Sequence, residues 1–240
     1  MKTFLVFVPL LSLIPYIFFK KNFLLNKFFW LGLLIGFIPF LFWTFSINPY
    51  LDKNIIFYLI EKFNFLSNKN TFTNPIYYYF WNIPITFLPW SIFAIIGIIY
   101  NIFESKDKKY ILTFFPLILI GIQSIFSTKT PYYNLQISSI LTLNTYQGIK
   151  YLVYSNRYKP IFIFITSKIV PLVLIALTFT YYFIFKNIGN LNFKENVFLI
   201  FGLLFFGLSW SFIKQKNSFK EILVTLIIGP YLLTSFLLQS

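Results

Sequence analysis

The chain has 240 residues, 58% of them hydrophobic and only 11% charged, with a net charge of +14 and a mean hydropathy of +0.75. A soluble domain carries about 25% charged residues, so this composition excludes a water-soluble globule. There is no Cys and no His, which removes disulfides, thiolate sites and the imidazole that most often acts as acid, base or metal ligand. No metal or cofactor site is therefore expected.

The excess of positive charge does not point to nucleic acid. The basic residues lie in short loops between apolar runs, where they set topology and meet anionic lipid. All but Arg157 are Lys. Lys, Asn, Ile and Phe are abundant together, the mark of AT-rich coding, so the richness in Phe carries no functional meaning of its own.

A hydrocarbon core of about 30 Å takes about 20 helical residues to cross. Inside it each backbone amide must be paired within its own segment, so apolar runs of this length are helices. In chain order the candidate spans are Thr3–Phe19, Phe28–Ile47, Ile76–Phe103, Tyr110–Phe126, Tyr132–Tyr154, Ile161–Phe185, Asn196–Ile213 and Ile222–Leu238. The fifth is diluted by Asn134, Gln136, Ser138, Ser139, Asn144 and Gln147. No linker or repeat interrupts them. The expected fold is an all-α polytopic membrane protein, a single domain over residues 1–240 with about eight transmembrane helices.

The loops alternate in charge. Segments 20–27, 104–109, 150–160 and 214–221 each hold three Lys or Arg, and the positive-inside rule places them in the cytoplasm. Both termini and the loop 48–75 then lie outside. Met1-Lys2 before an apolar run resembles an uncleaved signal anchor, which would insert the other way round. A span that must begin outside with nothing before it reads as the middle of a longer protein, so an N-terminal half is expected to be missing.

The loop 48–75 opens with Asn48-Pro49, a helix cap followed by Pro in the first turn. Ile56, Leu59, Ile60 and Phe63 then share one helical face. The expectation is a short amphipathic helix on the outer surface, serving either as an interfacial anchor or as a wall of a headgroup site. Next comes Asn74-Pro75-Ile76-Tyr77-Tyr78-Tyr79-Phe80-Trp81, either an aromatic belt or a set of phenols able to donate to a phosphate. Pro84 and Pro89 remove two donors from that span and predict a kink, tolerated only against protein or a wet cavity. Lys129, in Ser127-Thr128-Lys129-Thr130-Pro131-Tyr132, either snorkels to headgroups or holds an anionic ligand. Lys168, roughly 10 Å into its span, reaches the cytoplasmic interface through its stem or marks a functional site. Gly32 and Gly36, one turn apart, would let another helix approach closely.

Over residues 1–150 these elements, taken together and in order, resemble the polyprenyl-phosphate-dependent glycosyltransferases of the GT-C class. The likeness is to the lipid A aminoarabinose transferase and the dolichyl-phosphate-mannose protein mannosyltransferases. Glu61-Lys62-Phe63 matches the end of that family's short outer helix, and Pro75-Ile76-Tyr77-Tyr78-Tyr79 its Pro-aromatic-Tyr-Tyr entry. Leu88-Pro89-Trp90-Ser91 matches the Pro-Trp of the following span, and Ser127-Thr128-Lys129-Thr130-Pro131-Tyr132-Tyr133 the element Ser-x-Lys-x-Pro-x-Tyr. Asn134-Leu135-Gln136 departs from the usual Leu-Pro that follows. Lys2-Thr3 is similar to the family's Thr-Lys-Gly entry without the Gly.

The resemblance implies sugar transfer from a polyprenyl-phosphate donor to a lipid, glycan or protein acceptor outside the cytoplasm, in a bacterial inner membrane. It implies that Tyr78 or Tyr79 approaches the lipid phosphate, with Lys129 and Lys2 lending charge. The family's catalytic carboxylate belongs to a first outer loop that precedes the matched region. Of the acids on the outer side, Asp52, Glu61 and Glu195, none has a second carboxylate or a base beside it in sequence, so no catalytic residue is named. The expected partners are a polyprenyl-phosphate-linked sugar, membrane lipid and a separate polypeptide supplying the N-terminal half. The rival readings are a transporter or lipid flippase subunit using the Pro-kinked span and Lys168, or a non-catalytic membrane remnant.

Overall fold

In the computed structural model the described residues are 12–19, 25–47, 57, 61, 74–104, 110–125, 129, 134–185 and 193–239. Among them the secondary structure is helical, with no strand. The helices are α1 (Ile14–Phe19), α2 (Lys27–Ile47), α3 (Tyr78–Thr86), α4 (Trp90–Glu104), α5 (Phe115–Ile125), α6 (Leu135–Tyr154), α7 (Lys159–Phe164), α8 (Val170–Thr180), α9 (Phe193–Ser211) and α10 (Phe219–Gln239). Single π turns lead into α5 (Tyr110–Phe114), join α7 to α8 (Ile165–Ile169) and follow α8 (Tyr181–Phe185). The chain divides into two compact units, Met1–Gln147 and Gly148–Ser240.

Among the described residues three helices are long and apolar enough to cross a membrane: Lys27–Ser46, Lys159–Phe183 and Phe219–Leu238. They coincide with the second, sixth and eighth runs read from the sequence. The third run is not one straight helix. It breaks at Phe87–Pro89, and its two arms are bent by 116°. Ile111–Ile125 and Asn196–Ser211 are shorter apolar helices. The fifth run forms the 20-residue α6, but its polar residues keep it below the hydropathy of a span. The first run is described only from Ser12, and of the outer loop 48–75 only Phe57, Glu61, Asn74 and Pro75 are described. The expected amphipathic helix and Lys2 therefore lie outside the described residues. Phe57 and Glu61, one turn apart, are both helical and exposed.

In the first unit, α2 starts on a side-chain cap, the Asn26 Oδ1 accepting the Phe28 N–H at 2.9 Å. It is apolar on every face, and none of its spanning window is buried. Gly32 and Gly36 face open space: an added Cβ would meet nothing within 4 Å. The core of this unit instead gathers Tyr78, Tyr79 and Ile83 of α3, Ala94 of α4, Phe115 and Leu119 of α5, and Ile137 and Leu141 of α6.

Proline chemistry shapes both units. Pro116 cannot donate to the carbonyl of Leu112, one turn earlier. That carbonyl accepts the Asn144 Nδ2 at 2.7 Å, and Asn144 Oδ1 in turn accepts the Asn101 Nδ2 at 2.9 Å. Pro230 leaves the carbonyl of Leu226 without its helical donor in the same way, and there the Trp210 Nε1 donates to it at 3.1 Å. In hydrocarbon an orphaned carbonyl costs several kcal/mol, roughly, so each substitute donor removes a large penalty.

The second unit is built on the α9–α10 hairpin. Its helices approach so closely at Gly229 that an added Cβ would lie 2.5 Å from Phe206 Cδ2 and 2.7 Å from Ser209 Oγ. Gly202 sits similarly, 2.9 Å from Leu233 Cδ1. Buried Trp210 and Phe206 stack edge-on at 5.0 Å, and Ile222 and Leu226 are fully enclosed.

Candidate functional site

The break in the third run positions the site. Pro89 deprives the Ile85 carbonyl of its donor, and the Leu88 N–H supplies a tighter bond to it at 3.2 Å. Pro84, by contrast, is accommodated inside α3 and does not end it; the expected kink forms at Pro89. The Thr86 hydroxyl folds back onto the carbonyls of Asn82 and Ile83 at 2.9 and 3.2 Å. The chain then restarts at once: the N–H groups of Trp90 and Ser91 both bond the Phe87 carbonyl, at 2.9 and 3.0 Å.

Beside the break lies a cavity of about 460 Å³ between α3 and the start of α6, lined by Ile83, Thr86, Phe87, Asn134, Leu135, Ser138 and Leu141. Its walls are apolar apart from Thr86, Asn134 and Ser138, and no charged residue lines it. Asn134 ties the two sides together, its Nδ2 donating to Asn82 Oδ1 at 2.7 Å and to Thr86 Oγ1 at 3.1 Å. Gln123 Nε2 donates to Gln136 Oε1 at 3.0 Å, which fixes α5 to α6 near the same end.

Farther along α6, two consecutive residues hold both ends of α4. Thr145 Oγ1 donates to the Trp90 carbonyl at 3.3 Å, while Asn144 accepts from Asn101. Trp90 and Asn101 are eleven residues apart, about 16 Å of helix.

The predicted site residues fall as follows. Tyr78 and Tyr79 are buried, Tyr79 completely. Their rings meet edge-on at 5.2 Å, and Tyr78 packs edge-on against Trp81, also at 5.2 Å. Both belong to the apolar core described above, and neither lines the cavity. Tyr77, which precedes α3, is exposed. Lys129 is 4% exposed, the only charged side chain buried among the described residues. Burial holds its ammonium below the ordinary lysine value. Its carbonyl accepts the Asn74 Nδ2 at 3.4 Å, which brings the Lys129 segment to the start of the Tyr-bearing helix. Lys168 is exposed and lies in the π turn of the Lys159–Phe183 span. Of the candidate acids, Glu61 is exposed, Glu195 is in the first turn of α9, and Asp52 lies outside the described residues. Among the described residues no group of three or more Asp or Glu could hold a metal ion.

Sequence reasoning missed Asn82, Thr86 and Ser138 as cavity or bridge residues, and it read Asn134 and Asn144 only as weakening a span. The usable signal was present: Asn within apolar runs that also contain Pro, since each Pro creates a carbonyl in need of a donor. No protein-family model, no curated protein and no solved structure matches the chain.

Proposed function

We propose that this chain is the C-terminal, lipid-binding part of a membrane glycosyltransferase of about eight transmembrane helices, acting with a polyprenyl-phosphate sugar donor at the outer face of a bacterial inner membrane. The observation that carries the reading is the Asn74–Lys129 contact. It joins Lys129 to Asn74, the residue just before the Pro75–Tyr79 entry, and both belong to elements that the resemblance singles out separately. Lys129 then supplies a cation in a water-poor place beside a helix start, where a phosphate gains most from a charged donor. Burial disfavours the charged form of the Lys129 ammonium, and a bound phosphate would offset that cost. The apolar cavity at the break offers room for a prenyl chain. Lys2 joins the phosphate site in this reading. Tyr78 and Tyr79 act as the packed support that fixes the start of α3 beside that phosphate.

No carboxylate lines the cavity at the break, and in this reading the general base comes from a separate polypeptide. The test is to purify the 240-residue chain and assay it with a polyprenyl-phosphate sugar and a lipid acceptor, with and without the product of a neighbouring upstream reading frame. Binding without turnover is expected from the chain alone. Robust turnover by the chain alone, lost on substitution of Asp52, Glu61 or Glu195, would identify a catalytic acid within it and refute the two-part account.

One observation favours a second reading, a transporter or flippase subunit. Broken helices in membranes commonly flank substrate sites, and here the 116° break adjoins a cavity with Thr86, Asn134 and Ser138 in its wall. Flux of a lipid-linked sugar across vesicles containing the chain, abolished by filling the cavity with Ser138→Phe, would select this reading over the first.

A further inference from the structure

At one end of the second unit two loops meet. The turn 155–158 joins α6 to α7, and residues 212–218 join α9 to α10. Tyr154, at the end of α6, and Phe219, at the start of α10, bring them into contact with ring centroids 5.6 Å apart. This end carries Lys150, Arg157, Lys159, Lys214, Lys216 and Lys220, all exposed except the half-buried Lys159. The aromatic floor is ordered: Tyr151 and Tyr158 lie 5.7 Å apart, and the Arg157 guanidinium stands 5.7 Å from the Tyr158 ring centroid.

One acid, Glu221, shares this end, and its carboxylate is already engaged. Asn217 Nδ2 donates to Glu221 Oε2 at 2.6 Å, and Ser218 Oγ donates to Glu221 Oε1 at 3.0 Å. The Glu221 N–H returns a bond to Ser218 Oγ at 3.3 Å, closing a capping box at the start of α10. The Lys214 N–H is held by Asn217 Oδ1 at 2.6 Å, so the turn bearing Lys214 and Lys216 is tied to the same cap. Glu221 is thus spent on capping the helix and shaping the loop, and the six cations are left in excess on a rigid base.

We infer that this end of the second unit is a docking surface for the headgroup of an anionic phospholipid in the leaflet it faces. Charge complementarity chooses the occupant: six cations against one acid. The aromatic floor places the surface at headgroup depth, where Tyr side chains concentrate. Topological preference alone requires only that the loops be basic; it does not require two loops to meet on a shared aromatic floor with their one acid sequestered.

The test uses the whole chain in a neutral detergent, with phosphatidylglycerol, phosphatidylcholine or inorganic phosphate added and thermal unfolding recorded. Phosphatidylglycerol is expected to raise Tm, phosphatidylcholine and inorganic phosphate are not, and the rise should shrink in high salt. Lys214→Gln with Lys216→Gln should weaken the apparent affinity about thirtyfold, at about a fivefold loss per lysine near a charged surface. The equal charge change Lys108→Gln with Lys109→Gln, in the first unit, should leave it within about threefold of wild type by the same scale. Equal stabilisation by phosphatidylcholine would reduce the effect to bulk solvation. Stabilisation by inorganic phosphate would make it a soluble-anion site. Equal loss in both double variants would reduce it to diffuse net charge. Each of these three results overturns the proposal.

Discussion

The two units solve the same problem with different chemistry. Among the described residues the first buries Ser12, Asn82, Ser91, Asn101, Thr113, Gln123, Ser124, Lys129, Asn144 and Thr145; the second buries Thr166, Ser167 and Thr178. In the first, buried amides reach between helices, and Asn144 alone connects Asn101, the Leu112 carbonyl and its own Ile140 carbonyl. In the second, the Thr166 and Thr178 hydroxyls turn back onto their own helices, to Phe162 at 2.9 Å and to Ile175 at 2.6 Å. Its helices are held by glycine contacts and by the Trp210 indole. Polar groups buried between helices in a membrane mark function more often than stability. Among the described residues the interhelical network of buried amides thus lies in the first unit, while the buried hydroxyls of the second serve their own helices.

The largest effect that would test this contrast comes from Asn144→Leu. It strands the Leu112 carbonyl and the Asn101 amide together, and should destabilise the fold by about 3 kcal/mol, read as a lower midpoint in detergent denaturation. Thr178→Val, equally buried, should cost less than about 0.5 kcal/mol, because its hydroxyl serves only its own helix. Similar losses in the two variants would erase the distinction between the units. Gly229→Ala comes next: the Cβ contact of 2.5 Å forces the α9–α10 hairpin apart and should cost about 2 kcal/mol. Trp210→Phe should cost about 1 kcal/mol, since it keeps the ring and loses the bond to Leu226.

Much of this was legible in the sequence, and the limits have physical causes. Apolar length alone revealed Lys27–Ser46, Lys159–Phe183 and Phe219–Leu238, because crossing hydrocarbon demands it. Pro89 foretold the break. The 116° angle did not follow from it, since Pro sets where a bond is lost and tertiary contacts set where the chain goes next. The same holds at Pro116 and Pro230, whose partners Asn144 and Trp210 are distant in sequence. Tyr78 and Tyr79 read as membrane-entry phenols because three Tyr in a row allow either an exposed or a buried role. The structure exposes Tyr77 and buries the other two, a division that helical phase and packing decide together.

A smaller effect sharpens the assignment of Lys129. Its folded-state pKa is lowered by burial, so between that value and the ordinary one the unfolded chain holds the extra proton. Stability then rises as pH climbs through that window towards the ordinary lysine value. Lys129→Met should remove this dependence, flattening the difference in unfolding midpoint between neutral and alkaline pH. An unchanged pH profile would show that Lys129 is solvated. Cysteine labelling in intact cells checks the sidedness on which the phosphate reading rests. The chain has no native Cys, and a membrane-impermeant reagent should label Asn70→Cys and spare Asp107→Cys. The reverse pattern would invert the protein and put Lys129 at the cytoplasmic face.

The central claim is that Lys129, at the start of the Tyr-bearing helix, receives a lipid phosphate. The most direct measurement is the affinity of the purified chain for a short polyprenyl phosphate against the matching polyprenol, in wild type and in Lys129→Gln. A charge-assisted bond is about twice as strong as a neutral one, so the wild type should prefer the phosphate by about tenfold or more, and Lys129→Gln should lose that preference while still binding the alcohol. Equal affinity of the wild type for phosphate and alcohol, or a preference that survives in Lys129→Gln, would contradict the account.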